Sequence, residues 1–196
     1  MTTSITPRFD TRTAPDLAPD ADIARVAAEA ADRVLAGAWP DRDLATLEAC
    51  AARDPAATWP AAARLLDYPL CRRALRWYRV IDRMPEAAAL AWATDDRRAA
   101  ALAASVCMTA GEVPPLARAL LDHFGAGMWA SDELRENALT PPEPVRDFVS
   151  FYRAQLAAVD SLATDARPTV RAWALATADA LRRLIAEQTR AETGDR

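Results

Sequence analysis

The sequence predicts an all-α fold of about 8–10 helices arranged as antiparallel pairs. Three observations lead there. Alanine makes up about a quarter of the 196 residues, alongside abundant Leu and Arg, with only 5 Gly; the summed intrinsic preference is helical. The 14 prolines punctuate the chain where new helices would begin, and proline fits the first helical turn because its missing N–H was never going to be bonded there. Between them, apolar residues recur at steps of three and four, which aligns them on one face of a helix. A chain of this length suits one domain with a continuous core.

Taken in order, Asp20 is expected to cap a helix over Ala21–Ala36, closed by Gly37 and the pair Trp39-Pro40. Asp41 starts a second helix, Asp41–Arg53. The segment "DPAATWP" reads as a break, and Pro60–Asp67, Pro69–Arg83, Pro85–Thr94, Asp96–Thr109, Pro114–Phe124 and Asp132–Leu139 follow. The last two are the clearest: Pro144–Thr164, striped by Val149, Tyr152, Leu156 and Val159, and Pro168–Arg190, striped by Val170, Trp173, Thr177 and Leu181. Residues 1–20 are expected to form a disordered arm, 21–190 the helical domain and 191–196 a flexible tail.

A repeat is embedded in this punctuation. Pro168 is followed by Val170, Arg171 and Ala174; Pro69 by Cys71, Arg72 and Leu75; Pro115 by Ala117, Arg118 and Leu121. The same chemistry stands at the same offsets, at intervals near the ~40–47-residue period of helical-pair repeats with one insertion. The pattern Asp165, Pro168, Val170, Arg171, Ala174 resembles the inter-helix turn and second-helix start of a HEAT repeat. Residues 129–190 are similar to the closing repeat of bacterial HEAT-like arrays. The resemblance implies a right-handed α-solenoid in which Asp165 and Arg171 serve the scaffold, bonding within and between repeats.

Charge and cysteine usage narrow the function. The formal net charge is −4 and the isoelectric point is near 5.1, so the chain as a whole repels phosphate backbones. All 24 basic residues are Arg, as expected of a GC-rich bacterial gene. Cys50, Cys71 and Cys107 lack C-x-x-C spacing or His neighbours and read as buried free thiols in a reducing compartment. The start of the chain lacks the apolar run of a secretory signal, and no uninterrupted apolar stretch is long enough to span a membrane, so the expected location is the cytoplasm.

No catalytic motif stands out. His123 is the sole histidine and suits a helix end; Asp95, Asp96, Asp132, Glu133 and Glu136 suit helix starts; Gly125 and Gly127 lack the lysine of a phosphate loop. Cofactors and metals are not expected. Trp77, Trp92 and Trp173 fall on apolar stripes, whereas Trp39, Trp59 and Trp129 fall at turns, where an aromatic packs between layers or meets a partner. The candidate binding residues are Trp129 and a line of guanidinium groups, Arg72, Arg76, Arg79 and Arg83, along one face of the Pro69–Arg83 helix. Like charges so spaced repel unless something negative faces them, either a partner or nearby carboxylates such as Asp67, Asp82 and Glu86. The expected function is a non-enzymatic interaction module for a protein or peptide partner. The alternatives are a nucleic-acid binder or glycosylase of HEAT-like fold that uses the Arg face, and an immunity or regulatory partner of a toxin.

Overall fold

The structure is a computed structural model that describes residues 15, 17–37, 41–108, 111–125, 128–141 and 145–194. Trp39, Pro40, Gly127, Pro144 and most of the N-terminal arm lie outside the described residues. Among the described residues the regular structure is entirely helical: α1 (Ile23–Leu35), α2 (Asp41–Arg53), α3 (Pro55–Leu66), α4 (Pro69–Trp77), a 3-10 turn (Ile81–Arg83), α5 (Glu86–Trp92), α6 (Asp96–Ala104), α7 (Pro115–Phe124), α8 (Trp129–Leu139), α9 (Phe148–Asp160) and α10 (Pro168–Thr193). Among the described residues no helix is long and apolar enough to cross a membrane.

Aspartates set most of the starts. Asp22, rather than Asp20, caps α1 by accepting from the Arg25 N–H at 3.2 Å. Asp54, Asp95 and Asp147 do the same for α3, α6 and α9 at 3.0, 2.9 and 2.8 Å. The Asp54–Pro55 pair is a complete start signal, so α3 begins there and runs through Pro60, and the break expected at "DPAATWP" does not form. Pro60 and Ala56 both lie on the exposed side, so water can reach the carbonyl that loses its partner. Trp59 is therefore mid-helix, edge-on to Trp92 at 6.4 Å, and not at a turn.

The larger correction concerns α4, which stops at Trp77, six residues short of Arg83. The Arg79 N–H donates to the Arg76 carbonyl at 3.0 Å and the Val80 N–H to the Leu75 carbonyl at 3.1 Å, the crossed pair of a Schellman stop. Arg79 itself takes the left-handed conformation at φ 53°, the only such non-glycine residue described. That costs an L-residue on the order of 1 kcal/mol. Arg79 and Arg83 thus leave the face that carries Arg72 and Arg76.

Packing follows chain order. The first three helices form a mutually packed group, fastened by Arg33 to the buried Asp43 at 2.8 Å and by Arg64 to Asp32 at 2.6 Å. Arg53 closes the lower end by donating to the Ala18 and Pro19 carbonyls. Helix α4 rests on α3 and α6, α6 packs along α8, and α5 bridges α6 and α7. Helix α10 lies along α9 and reaches α7 and α8. Arg182 of α10 meets Asp160 of α9 at 2.9 Å. One apolar cluster runs from Ile23 to Leu181 through all of these layers. Cys50, Cys71 and Cys107 are free and buried in or beside it.

Trp173 fixes the last layers. It is 1 % exposed, and its indole N–H donates to the Ser131 carbonyl of α8 at 3.0 Å. Trp173→Phe removes that donor and part of the ring volume. It is expected to cost about 1–3 kcal/mol in urea-unfolding free energy; a change below about 0.5 kcal/mol would show that the contact carries no weight.

The turn before α10 is built from its own residues. The Asp165 carboxylate accepts from the Arg167 N–H at 3.0 Å and from the Arg167 guanidinium at 2.8 and 2.9 Å. Arg171 donates to the Asp165 and Ala166 carbonyls at 2.6 and 2.9 Å. The Arg167 side chain, then its backbone N–H, holds the Asp165 carboxyl well below the usual carboxylate range. Both residues of the Asp–Arg motif make these bonds within a single turn.

Candidate functional site

The surface with the most chemistry surrounds α4. Its buried face carries Cys71 and Leu75; the opposite face presents Leu70, Arg73, Ala74 and Trp77 at steps of three and four. Helices α2 and α8 stand on either side of it. Three concavities result. A largely apolar groove of about 310 Å³ lies between α2 and α4, lined by Leu44, Leu70, Ala74 and Trp77 with Asp41 at its edge. A polar cleft of about 410 Å³ lies between α4 and α8, with Arg72, Arg73 and Arg76 on one wall and Glu133, Glu136 and Asn137 on the other. A third, of about 510 Å³, is lined by Asp67, Arg72, Trp92, Asp95 and Arg97. The groove and the cleft share Arg73 and Trp77, and the cleft and the third concavity share Arg72.

The four arginines singled out in the sequence do different things here. Arg72 Nε donates to the Leu66 carbonyl at 2.7 Å and closes the end of α3. Arg76 is turned inward: Nη1 donates to Asn137 Oδ1 at 2.6 Å, and Nη2 to the Asn137 carbonyl at 3.4 Å and to the Thr140 carbonyl. It thereby caps the C-terminal end of α8, where a cation is favoured by the helix dipole. Burial lowers the Arg76 pKa, and the neighbouring Arg73 lowers it further against the raising effect of Cys107, Glu136 and Asp82. Arg79 pairs with the buried Asp82 at 3.2 Å and lies 3.9 Å from Glu112. Arg83 reaches Glu48 at 3.7 Å. Trp129, 64 % exposed, begins α8 one turn before Glu133 but does not line the cleft.

Arg73 is the one arginine of α4 outside the stripe singled out in the sequence. It is exposed, belongs to both groove and cleft, and has no hydrogen-bond or ion-pair partner among the described residues. The signal that could have found it is the stripe Leu70, Arg73, Trp77, which interleaves with the buried Cys71 and Leu75. Glu133 and Glu136, expected near the start of a helix beginning at Asp132, lie beyond the first turn of α8, which starts at Trp129, and line the cleft. Partial burial raises the Glu133 pKa, opposed by Arg72. Leu70 at 74 % and Tyr68 at 52 % exposure extend the apolar rim beside the groove.

The Cys50 and Cys71 thiols are pushed up by burial, away from the thiolate form a nucleophile needs. His123 is exposed at the end of α7, its ring stacked edge-on against Phe124 at 4.7 Å. Among the described residues no group of three or more His, Cys, Asp or Glu side chains is placed to hold a metal ion. No family model matches the chain, and neither a curated protein nor a solved structure does.

Proposed function

We propose that the protein is a non-enzymatic cytoplasmic interaction module: a short HEAT-like stack that presents the surface around α4 to a protein partner. The observation that carries the reading is the exposed set Tyr68, Leu70 and Arg73 at the start of α4, with Trp129 exposed at the start of α8. Large apolar side chains next to an unpaired guanidinium are what an interface core is made of. The stacked architecture is supported by the order of packing, since the main contacts join helices no more than three apart along the chain. Glu133 and Glu136 across the cleft repel a phosphate backbone, and the net charge of −4 adds to this, so a protein partner is preferred over nucleic acid.

The test is site-specific crosslinking in the native host, with a photoreactive residue in place of Leu70 and, as control, in place of Arg183 on α10. One defined polypeptide is expected from position 70 and not from position 183. Purified, it should bind the wild-type chain at least ten-fold more tightly than Leu70→Glu. Equal capture at both positions, or binding indifferent to Leu70→Glu, would overturn the assignment of this face.

A further inference from the structure

We infer that the cleft between α4 and α8 is a binding site for a small zwitterion, a molecule with a carboxylate at one end and an ammonium group at the other. The inference goes beyond the interaction reading and does not depend on it, because Leu70 lines the groove and not this cleft.

The two walls of the cleft carry opposite charge, with Arg72, Arg73 and Arg76 on α4 facing Glu133 and Glu136 on α8. Opposed charges on long side chains ordinarily close onto one another. Among the described residues, however, no ion pair joins these walls. The reason is that three of the five groups are tied to neutral partners. Arg72 Nε is held by the Leu66 carbonyl at 2.7 Å, and both terminal nitrogens of Arg76 are taken up by Asn137 and Thr140. Glu136 Oε1 accepts from the Thr140 hydroxyl at 2.9 Å. These charges are fixed in place without being neutralised.

The remaining two, Arg73 and Glu133, have no hydrogen-bond or ion-pair partner among the described residues. Arg73 is exposed and Glu133 half-buried. Burial raises the Glu133 pKa, and Arg72 opposes the rise through its charge without reaching the carboxylate. An occupant of one sign fits badly, since an anion meets Glu133 and Glu136, and a cation meets three guanidinium groups. A molecule with both signs satisfies both walls. Its carboxylate suits the two parallel donors of the Arg73 guanidinium, and its ammonium suits Glu133. Pro69, Ala104 and Pro141 supply apolar surface for a short spacer between the two ends. The volume, about 410 Å³, lies toward the small end of the ~300–1,000 Å³ found for small-molecule sites.

The experiment is isothermal titration calorimetry on the full-length chain with zwitterions of increasing span: glycine, γ-aminobutyrate, ε-aminocaproate, diglycine and triglycine. Hexanoate and hexylamine are the singly charged controls. At least one zwitterion is expected to bind with Kd below about 1 mM, at least ten-fold more tightly than either control. Whether an amino acid or a peptide binds best separates free amino acids from peptide ends as the source of this chemistry. Arg73→Gln and Glu133→Gln should each weaken that ligand at least ten-fold, and Arg153→Gln of α9 should leave it within two-fold. Neither Arg73 nor Glu133 bonds another part of the fold, and circular dichroism verifies that the variants are folded; were Glu133→Gln to unfold, Arg73→Gln decides alone. The assignment would be overturned by the absence of any zwitterion binding below about 1 mM, by hexanoate or hexylamine binding as tightly, or by affinity indifferent to Arg73→Gln. Crosslinking from position 70 judges the interaction reading separately.

Discussion

Arg76→Ala should destabilise the fold by about 2–4 kcal/mol and lower Tm by about 5–15 °C. The guanidinium bonds Asn137 Oδ1 and two carbonyls of the last turn of α8, and Asn137 in turn donates to the Ala103 and Val106 carbonyls at 2.9 and 3.0 Å. Asn137 is 2 % exposed, so it cannot turn to water when its partner is lost. Three layers, α4, α8 and the end of α6, are thus joined through one amide, and removing Arg76 strands acceptors in the middle of the chain of bonds. Part of the cost is offset, because the buried charge is itself desolvated and its Nε finds no partner. Arg76→Lys keeps the charge but not the fork and should retain less than half of the loss. Urea unfolding followed by tryptophan fluorescence gives the free energies. A double-mutant cycle with Asn137→Ala should return a coupling of about 1 kcal/mol or more. Additive single and double variants would show that the two side chains are neighbours without being a unit.

That buried role was hidden in the sequence for a physical reason. Arg72, Arg76, Arg79 and Arg83 form a stripe only if the helix continues to Arg83, and nothing in the composition marks its end. The usual signal for a left-handed C-terminal residue is glycine; here Arg79 takes that conformation, held by its pairing with Asp82. Where caps are local the sequence is legible: α2 spans Asp41–Arg53 as expected, and the prolines at 69, 115 and 168 stand at the starts of α4, α7 and α10. Local signals also decided against Pro60, since Asp54 and Pro55 supply a start of their own. The all-helical class follows from propensity summed over the whole chain and needs no tertiary knowledge. The site does. Arg76 and Asn137 are separated by 61 positions, and no periodicity within either helix reports that they meet. Gln155 and Asn137 look like surface amides in a helix pattern, yet both are buried against carbonyls of the α6 end, Gln155 donating to Met108 at 2.7 Å. Which polar residues turn inward depends on the carbonyls that helix ends leave unpaired, and those appear only when the ends have been placed.

Asp82→Asn should abolish a pH dependence of stability worth about 2.5 kcal/mol between pH 4 and pH 7. Asp82 sits in the 3-10 turn after the Arg79 stop, its carboxyl 7 % exposed. One oxygen accepts from the Cys107 N–H at 2.9 Å and the other from Arg79 Nε at 3.2 Å. Burial raises its pKa to about 6, with the Cys107 and Arg79 hydrogen bonds and the Arg79 charge pulling the other way and Glu112 adding to the rise. The folded chain therefore binds this proton more tightly than the unfolded chain, whose carboxyl titrates near its ordinary 3.8. Between those two values the native state holds the extra proton, so stability falls as pH rises through the window and is flat on either side. Asp165, held low by Arg167, contributes in the opposite sense, losing its contribution only as pH falls below the ordinary carboxylate range. The wild-type curve alone mixes the two. The informative quantity is the difference between wild type and Asp82→Asn, which keeps an acceptor for the Cys107 N–H. Wild type should gain on the variant by about 2–3 kcal/mol as pH is lowered from 7 to 4, and the Asp82 carboxyl carbon should titrate near 6 by NMR. A difference constant to within about 0.5 kcal/mol, with a midpoint near 4, would mean that water reaches this carboxyl and that the Arg79 stop leaves the turn open.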